Sequence, residues 1–97
     1  MRDEWFGLLA DGFRRDVLFE LLRRGATAST PVPERSVAAS DADRLRLRHV
    51  DLPKLAAAGV VDWDERTATV AWGPSFEEFR PLLEAVRAAD DPERRRA

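Results

Sequence analysis

The chain contains no cysteine, a single histidine (His49) and a single lysine (Lys54), and these scarcities remove whole classes of chemistry. Without cysteine there is no disulfide framework, no thiolate metal site and no cysteine nucleophile. His49 has no second histidine or cysteine to complete a metal site, so its expected role is helix packing rather than ligation. No apolar run approaches the roughly 20 residues of a membrane-spanning helix. The opening, MRDEWFGLLADG, carries two acids at once and too short an apolar run for a secretory signal, so a cytoplasmic location is expected. A Gly-rich phosphate loop, a G-x-S-x-G elbow and a nucleophile beside a recognisable base are all missing. The expectation is therefore a protein that is not an enzyme, with no cofactor, no metal, no membrane partner and no small-molecule ligand.

A surplus of positive charge is also lacking. Sixteen basic residues face 18 acidic ones for a formal net charge of −2, so no global field attracts nucleic acid. Every basic residue but Lys54 is arginine. Arginine offers a planar fork for phosphate or guanine, but a GC-rich genome produces the same bias, and that explanation carries more weight.

What is present fits one small globular domain. Its 97 residues are 44% hydrophobic and 35% charged, enough for a single modest core over residues 1–90, followed by a polar tail at 91–97. Asp3 can cap a short first helix through Leu9 that buries Trp5, Phe6 and Leu9. Asp11 reads as the cap of a stronger helix over 12–24, in which Phe13, Val17, Leu18, Leu21 and Leu22 form one apolar stripe. Glu20 precedes Arg24 by four residues, the favourable order for a helix ion pair, and Gly25 is a stop signal. Between residues 25 and 42 the pattern is small, polar and broken by proline. Either a short helix over 33–39, opened by Pro33, or an ordered loop fits it.

Ser40 ahead of Asp43 resembles a helix cap, as does Asp41 alone. The run Arg44-Leu45-Arg46-Leu47-Arg48 alternates like a strand, but Leu45, His49, Leu52 and Leu55 share a helical face. A helix over 41–58, bent near Pro53 and ended by Gly59, is favoured over a strand followed by a helix. Residues 60–63 and 68–72 are strand-like. Pairing Trp63 with Ala68 sets Val61 opposite Val70, so Val61, Trp63, Val70 and Trp72 share a face that packs on the helices. Ser75 and Glu78 have capping-box spacing for a last helix with Phe76, Phe79, Leu82, Leu83 and Val86 inward. Pro81 either kinks that helix or marks its start. Arg94, Arg95 and Arg96 read as a solvated tail. Three helices followed by a hairpin, with an extra helix at each end, predict an α+β winged helix-turn-helix.

The string HVDLPKLAAAGVVDWDERTATV strongly resembles the small winged-helix domain proteins of halophilic archaea. In these, an "HxxLPKLxxAGVV" segment precedes an aromatic-acidic wing. The opening LLADGFRRDVLFELL is similar to their first helix, and LPKLAAAGVV more distantly resembles the end of recognition helices in ArsR- and MarR-type repressors. The likeness covers residues from about 5 to 72, with its specificity in 47–63. It implies the winged-helix fold and a transcriptional-regulator-like role on double-stranded DNA. The chain departs from the family in its proline-rich segment before residue 41 and in being less acidic.

In a winged helix the recognition helix enters the major groove while the wing touches backbone. The candidate DNA contacts are Arg44, Arg46, Leu47, Arg48 and Val50, with Lys54 further along and Arg66 at the wing tip. The plainer reading pairs Arg44, Arg46 and Arg48 with Asp41, Asp43 and Asp51. A homodimer is expected, joined through Trp5, Phe6, Phe76, Phe79, Leu83 and Val86. For each of those residues, packing within the chain is the alternative. The rival function is a winged helix that docks protein instead of DNA. Exposure of Arg44, Arg46, Arg48 and Lys54 on one surface would favour DNA, and their burial in salt bridges would favour the rival.

Overall fold

The computed structural model describes residues 3–90; the tail with Arg94, Arg95 and Arg96 lies outside them. Helix α1 (Asp3–Leu9) and helix α2 (Gly12–Arg24) are followed by a two-residue strand β1 (Val32–Pro33) and a 3-10 turn (Glu34–Ser36). A long helical segment comes next: α3 (Asp41–Arg46), a π-helical turn (Leu47–Asp51) and α4 (Leu52–Ala57). The hairpin β2 (Val61–Asp64) and β3 (Thr69–Trp72) leads into α5 (Phe76–Ala89). The architecture is α+β, with the strands in one antiparallel sheet of order β1-β3-β2. Among the described residues no helix is long and apolar enough to cross a membrane.

Local chemistry sets most boundaries. Asp11 accepts a hydrogen bond from the Arg14 backbone N–H and caps α2, which ends at Gly25 in the left-handed region. Ser40 accepts from the Asp43 N–H and starts α3. Ser75 does not form the expected side-chain cap on α5. Its backbone N–H instead bonds the Gly59 carbonyl at 2.8 Å, fastening the start of α5 to the end of α4. A Cβ on Gly73 would come within 2.5 Å of that same carbonyl, so the chain crosses here backbone to backbone. Helix α5 runs through Pro81, whose position is solvent-exposed.

One core collects α1, α2, the long helical segment, the sheet and α5. Trp5 packs edge-on against Phe79 at 5.4 Å, joining α1 to α5. Phe6 points outward at 54% exposure, whereas Leu8 and Leu9 turn inward with Trp5. Of the two expectations for residues 33–39 the structure combines a single 3-10 turn after Pro33 with irregular chain to Ala39, and it adds strand β1, pairing Val32 with Val70 and Pro33 with Thr69. Pro33 fits because it lies on an edge strand, where a missing N–H costs no ladder bond.

The hairpin pairs Trp63 with Val70 and Val61 with Trp72, two residues away from the expected register. A shift of two preserves the face each side chain occupies, so Val61, Trp63, Val70 and Trp72 still share one side. The loop is four residues long because Asp64 pairs with Thr69. Asp64 Oδ1 accepts the backbone N–H groups of Arg66 and Thr67, and Ala68 closes the loop at φ 55°. That left-handed conformation costs a non-glycine residue about 1–2 kcal/mol. Ala68→Gly would remove this strain and give back about 0.5–1 kcal/mol in unfolded-chain entropy. A net gain of up to about 1 kcal/mol is expected, read as a higher melting temperature by circular dichroism.

Candidate functional site

The functional question centres on the helical segment 41–57, and its π turn decides which side chains it presents. Pro53 has no N–H and would crowd the His49 carbonyl in an α-helix. Widening to π geometry relieves that crowding, with the Leu52 N–H bonding the Leu47 carbonyl. The extra residue rotates everything N-terminal to it. Leu47, Leu52 and Leu55 become fully buried, while Leu45 and His49 turn to solvent. Leu47 is therefore a core residue and no surface contact, and His49 is not a packing residue.

The three arginines of this segment differ. Arg46 lies between two carboxylates, its Nη2 2.5 Å from Asp11 Oδ2 and its Nε 3.2 Å from Asp51 Oδ2. The second contact is an ion pair off the hydrogen-bond line, since Asp51 Oδ2 has no aligned donor. The Arg46 guanidinium also lies 4.8 Å over the Phe13 ring. Arg48 Nη1 reaches both oxygens of Glu34 at 2.9 and 3.1 Å, and its guanidinium sits over the Trp63 ring. The Arg44 side chain is half-buried and makes neither ion pair nor hydrogen bond among the described residues, leaving its buried Nε without a partner. Lys54 and Arg66 are exposed.

Two wholly buried carboxylates organise this arrangement. Asp51 receives Arg14 Nε at 3.0 Å, and Arg14, itself buried, donates also to the Leu8 carbonyl at 3.2 Å. Glu34 receives Arg48 and the Trp63 indole N–H, the latter at 2.8 Å. The first cluster locks the π turn to α1 and α2, and the second locks it to the 3-10 turn and β2. These partners are 37, 14 and 29 residues apart, so no local pattern in the sequence reveals them.

Asp11 shows the electrostatic coupling. The Arg46 guanidinium, helped by the Arg14 backbone N–H, holds its carboxyl at about 2, down from 3.8. Glu20, bonded by Arg23 and Arg24, is likewise held at about 2 instead of 4.5. A carboxyl depressed on folding stabilises above its unfolded value and loses that contribution as pH falls through its folded value. The melting temperature is therefore expected to drop as pH falls from about 4 towards 2. Asp11→Asn, which keeps the cap, would flatten the curve in that window.

On this helix the outward side carries Ala42, Leu45, His49, Val50, Pro53 and Ala57. Leu45 is 61% and Val50 40% exposed, two of the three large apolar side chains left open among the described residues. Asp41 and Asp43 stand exposed at the N-terminal end and Lys54 toward the other. The side chains expected to join two copies are mostly internal: Trp5, Phe76, Phe79 and Leu83 are buried in their own chain and Val86 is half-buried. Only Phe6 of that set is exposed, so the expected dimer face is core. No family model, curated protein or solved structure matches this chain.

Proposed function

We propose that this chain is a winged helix-turn-helix domain used as a protein-docking module, its recognition helix carrying an apolar ridge where a DNA reader would carry free cations. The fold part of this reading is supported by the order helix, short strand, turn, long helix, hairpin, and by the β1-β3-β2 sheet. The observation that carries the function is the commitment of Arg46 and Arg48 to internal carboxylates, with Leu45 and Val50 on the free face. Two further carboxylates, Asp41 and Asp43, occupy the helix end that would enter a groove lined with phosphates. A second copy is the occupant that fits the charge pattern. Antiparallel pairing about a twofold brings Asp41 and Asp43 of each protomer toward Lys54 of the other, with Leu45, His49 and Val50 between them.

Double-stranded DNA is the second reading. It is favoured by exposed Lys54 and Arg66 and by unpaired Arg44, which leave some cations facing outward. One pair of measurements separates the two. Sedimentation equilibrium should show self-association that Leu45→Asp with Val50→Asp abolishes without unfolding the chain. Titration into a labelled duplex should show weak, sequence-independent binding, unchanged by Arg46→Ala, which leaves both buried carboxylates paired. A monomer that binds a particular duplex tightly, with a steep salt dependence, would sink the docking reading and leave the DNA one.

A further inference from the structure

Beside the helix, and independent of the docking reading, lies a small cleft of about 190 Å³ between the 3-10 turn, α3 and the hairpin loop. Its walls include Arg35, Arg44, Thr67 and Thr69, with Pro33 and Glu34 behind them. From this cleft we infer a binding site for a dianionic phosphate group, either inorganic phosphate or the terminal group of a monoester.

Three features carry the inference. First, Arg44 Nε is buried with no hydrogen-bond partner, the one guanidinium N–H among the described residues left in that state. A buried donor without an acceptor costs about 1–3 kcal/mol, a penalty that an oxyanion in the cleft would cancel by drawing the half-buried Arg44 side chain round to meet it. Second, the cleft is cationic despite Glu34. That carboxylate is neutralised by Arg48 and the Trp63 indole, leaving Arg35 and Arg44 with no carboxylate partner among the described residues. Third, Thr67 and Thr69 share one hydroxyl–hydroxyl hydrogen bond at 2.8 Å. Two hydroxyls joined by one bond retain a second O–H, free to donate to an anion. Guanidinium forks and hydroxyls together match tetrahedral phosphate oxygens, and the two cations Arg35 and Arg44 match two negative charges better than one.

The test is a nuclear magnetic resonance titration of the full chain with inorganic phosphate, at ionic strength held constant with chloride. Saturable shifts are expected at the Arg44 Nε–H and at the Thr67 and Thr69 amides. Arg44→Lys keeps the charge but removes the Nε donor, and should weaken binding by about tenfold or more while leaving the remaining spectrum intact. Arg35→Gln should weaken it as well. Phosphate should raise the melting temperature of the parent chain more than that of Arg44→Lys. Non-saturating shifts that chloride reproduces, or undiminished binding by Arg44→Lys, would overturn the site. So would response to a duplex of phosphodiesters with none to inorganic phosphate.

Discussion

Asp51→Ala is expected to destabilise the chain by about 3–5 kcal/mol, the cost of stranding a buried cation. Asp51 is fully buried, and the Arg14 side chain that donates to it at 3.0 Å is only 7% exposed. Removing the carboxylate leaves Arg14 with the Leu8 and Gly7 carbonyls alone, neither of which offsets its charge. The loss is large beside the about 5–15 kcal/mol that holds a small domain folded. It corresponds to roughly 15–25 °C of melting temperature for a chain of this length. Arg46→Ala provides the contrast. Its guanidinium is 39% exposed and can be replaced by water, so about 1 kcal/mol or less is expected. Urea denaturation followed by tryptophan fluorescence measures both. A cost below about 1.5 kcal/mol for Asp51→Ala would show that Arg14 finds other compensation.

The large gap between those two variants also explains how much of this fold could be read from the chain. Helix α2 was legible at both ends because its signals are local: Asp11 three residues before the N–H it caps, and Gly25 at a left-handed stop. The inward face of the hairpin was legible because alternation survives a register shift of two, although the register itself depends on loop length. Strand β1 was not, since two residues containing a proline carry no strand signal and pair only because β3 is nearby. Helix 41–57 was half legible. Its helical state follows from Ser40 and the alanines, but its phase follows from the π turn that accommodates Pro53. Moving Leu45 and His49 outward and Leu47 inward changes the candidate surface from arginine-led to apolar. The outward face differs from the expected one for that reason, and because Arg46 and Arg48 join ion-pair clusters spanning up to 37 residues.

Glu34 and Arg48 should behave as a unit rather than as two contributions. Arg48→Leu leaves a fully buried carboxylate with only the Trp63 indole N–H, and about 3 kcal/mol of destabilisation is expected. Glu34→Leu frees Arg48 toward water, since that side chain is already 36% exposed, but orphans the Trp63 N–H, so about 2 kcal/mol is expected. Combining them removes both charges at once. A buried pair replaced by apolar side chains is often nearly neutral, so Glu34→Leu with Arg48→Leu should cost well below the sum of the singles. The expected coupling is about 2 kcal/mol, and adding Trp63→Phe should recover part of what remains by removing the orphaned donor. Equilibrium unfolding of the four variants closes the cycle. Simple additivity would mean that Glu34 and Arg48 stabilise the turn separately. Coupling of the expected size would mean that the pair holds β2 and the π turn in one register, which keeps Leu45 and Val50 on the open face.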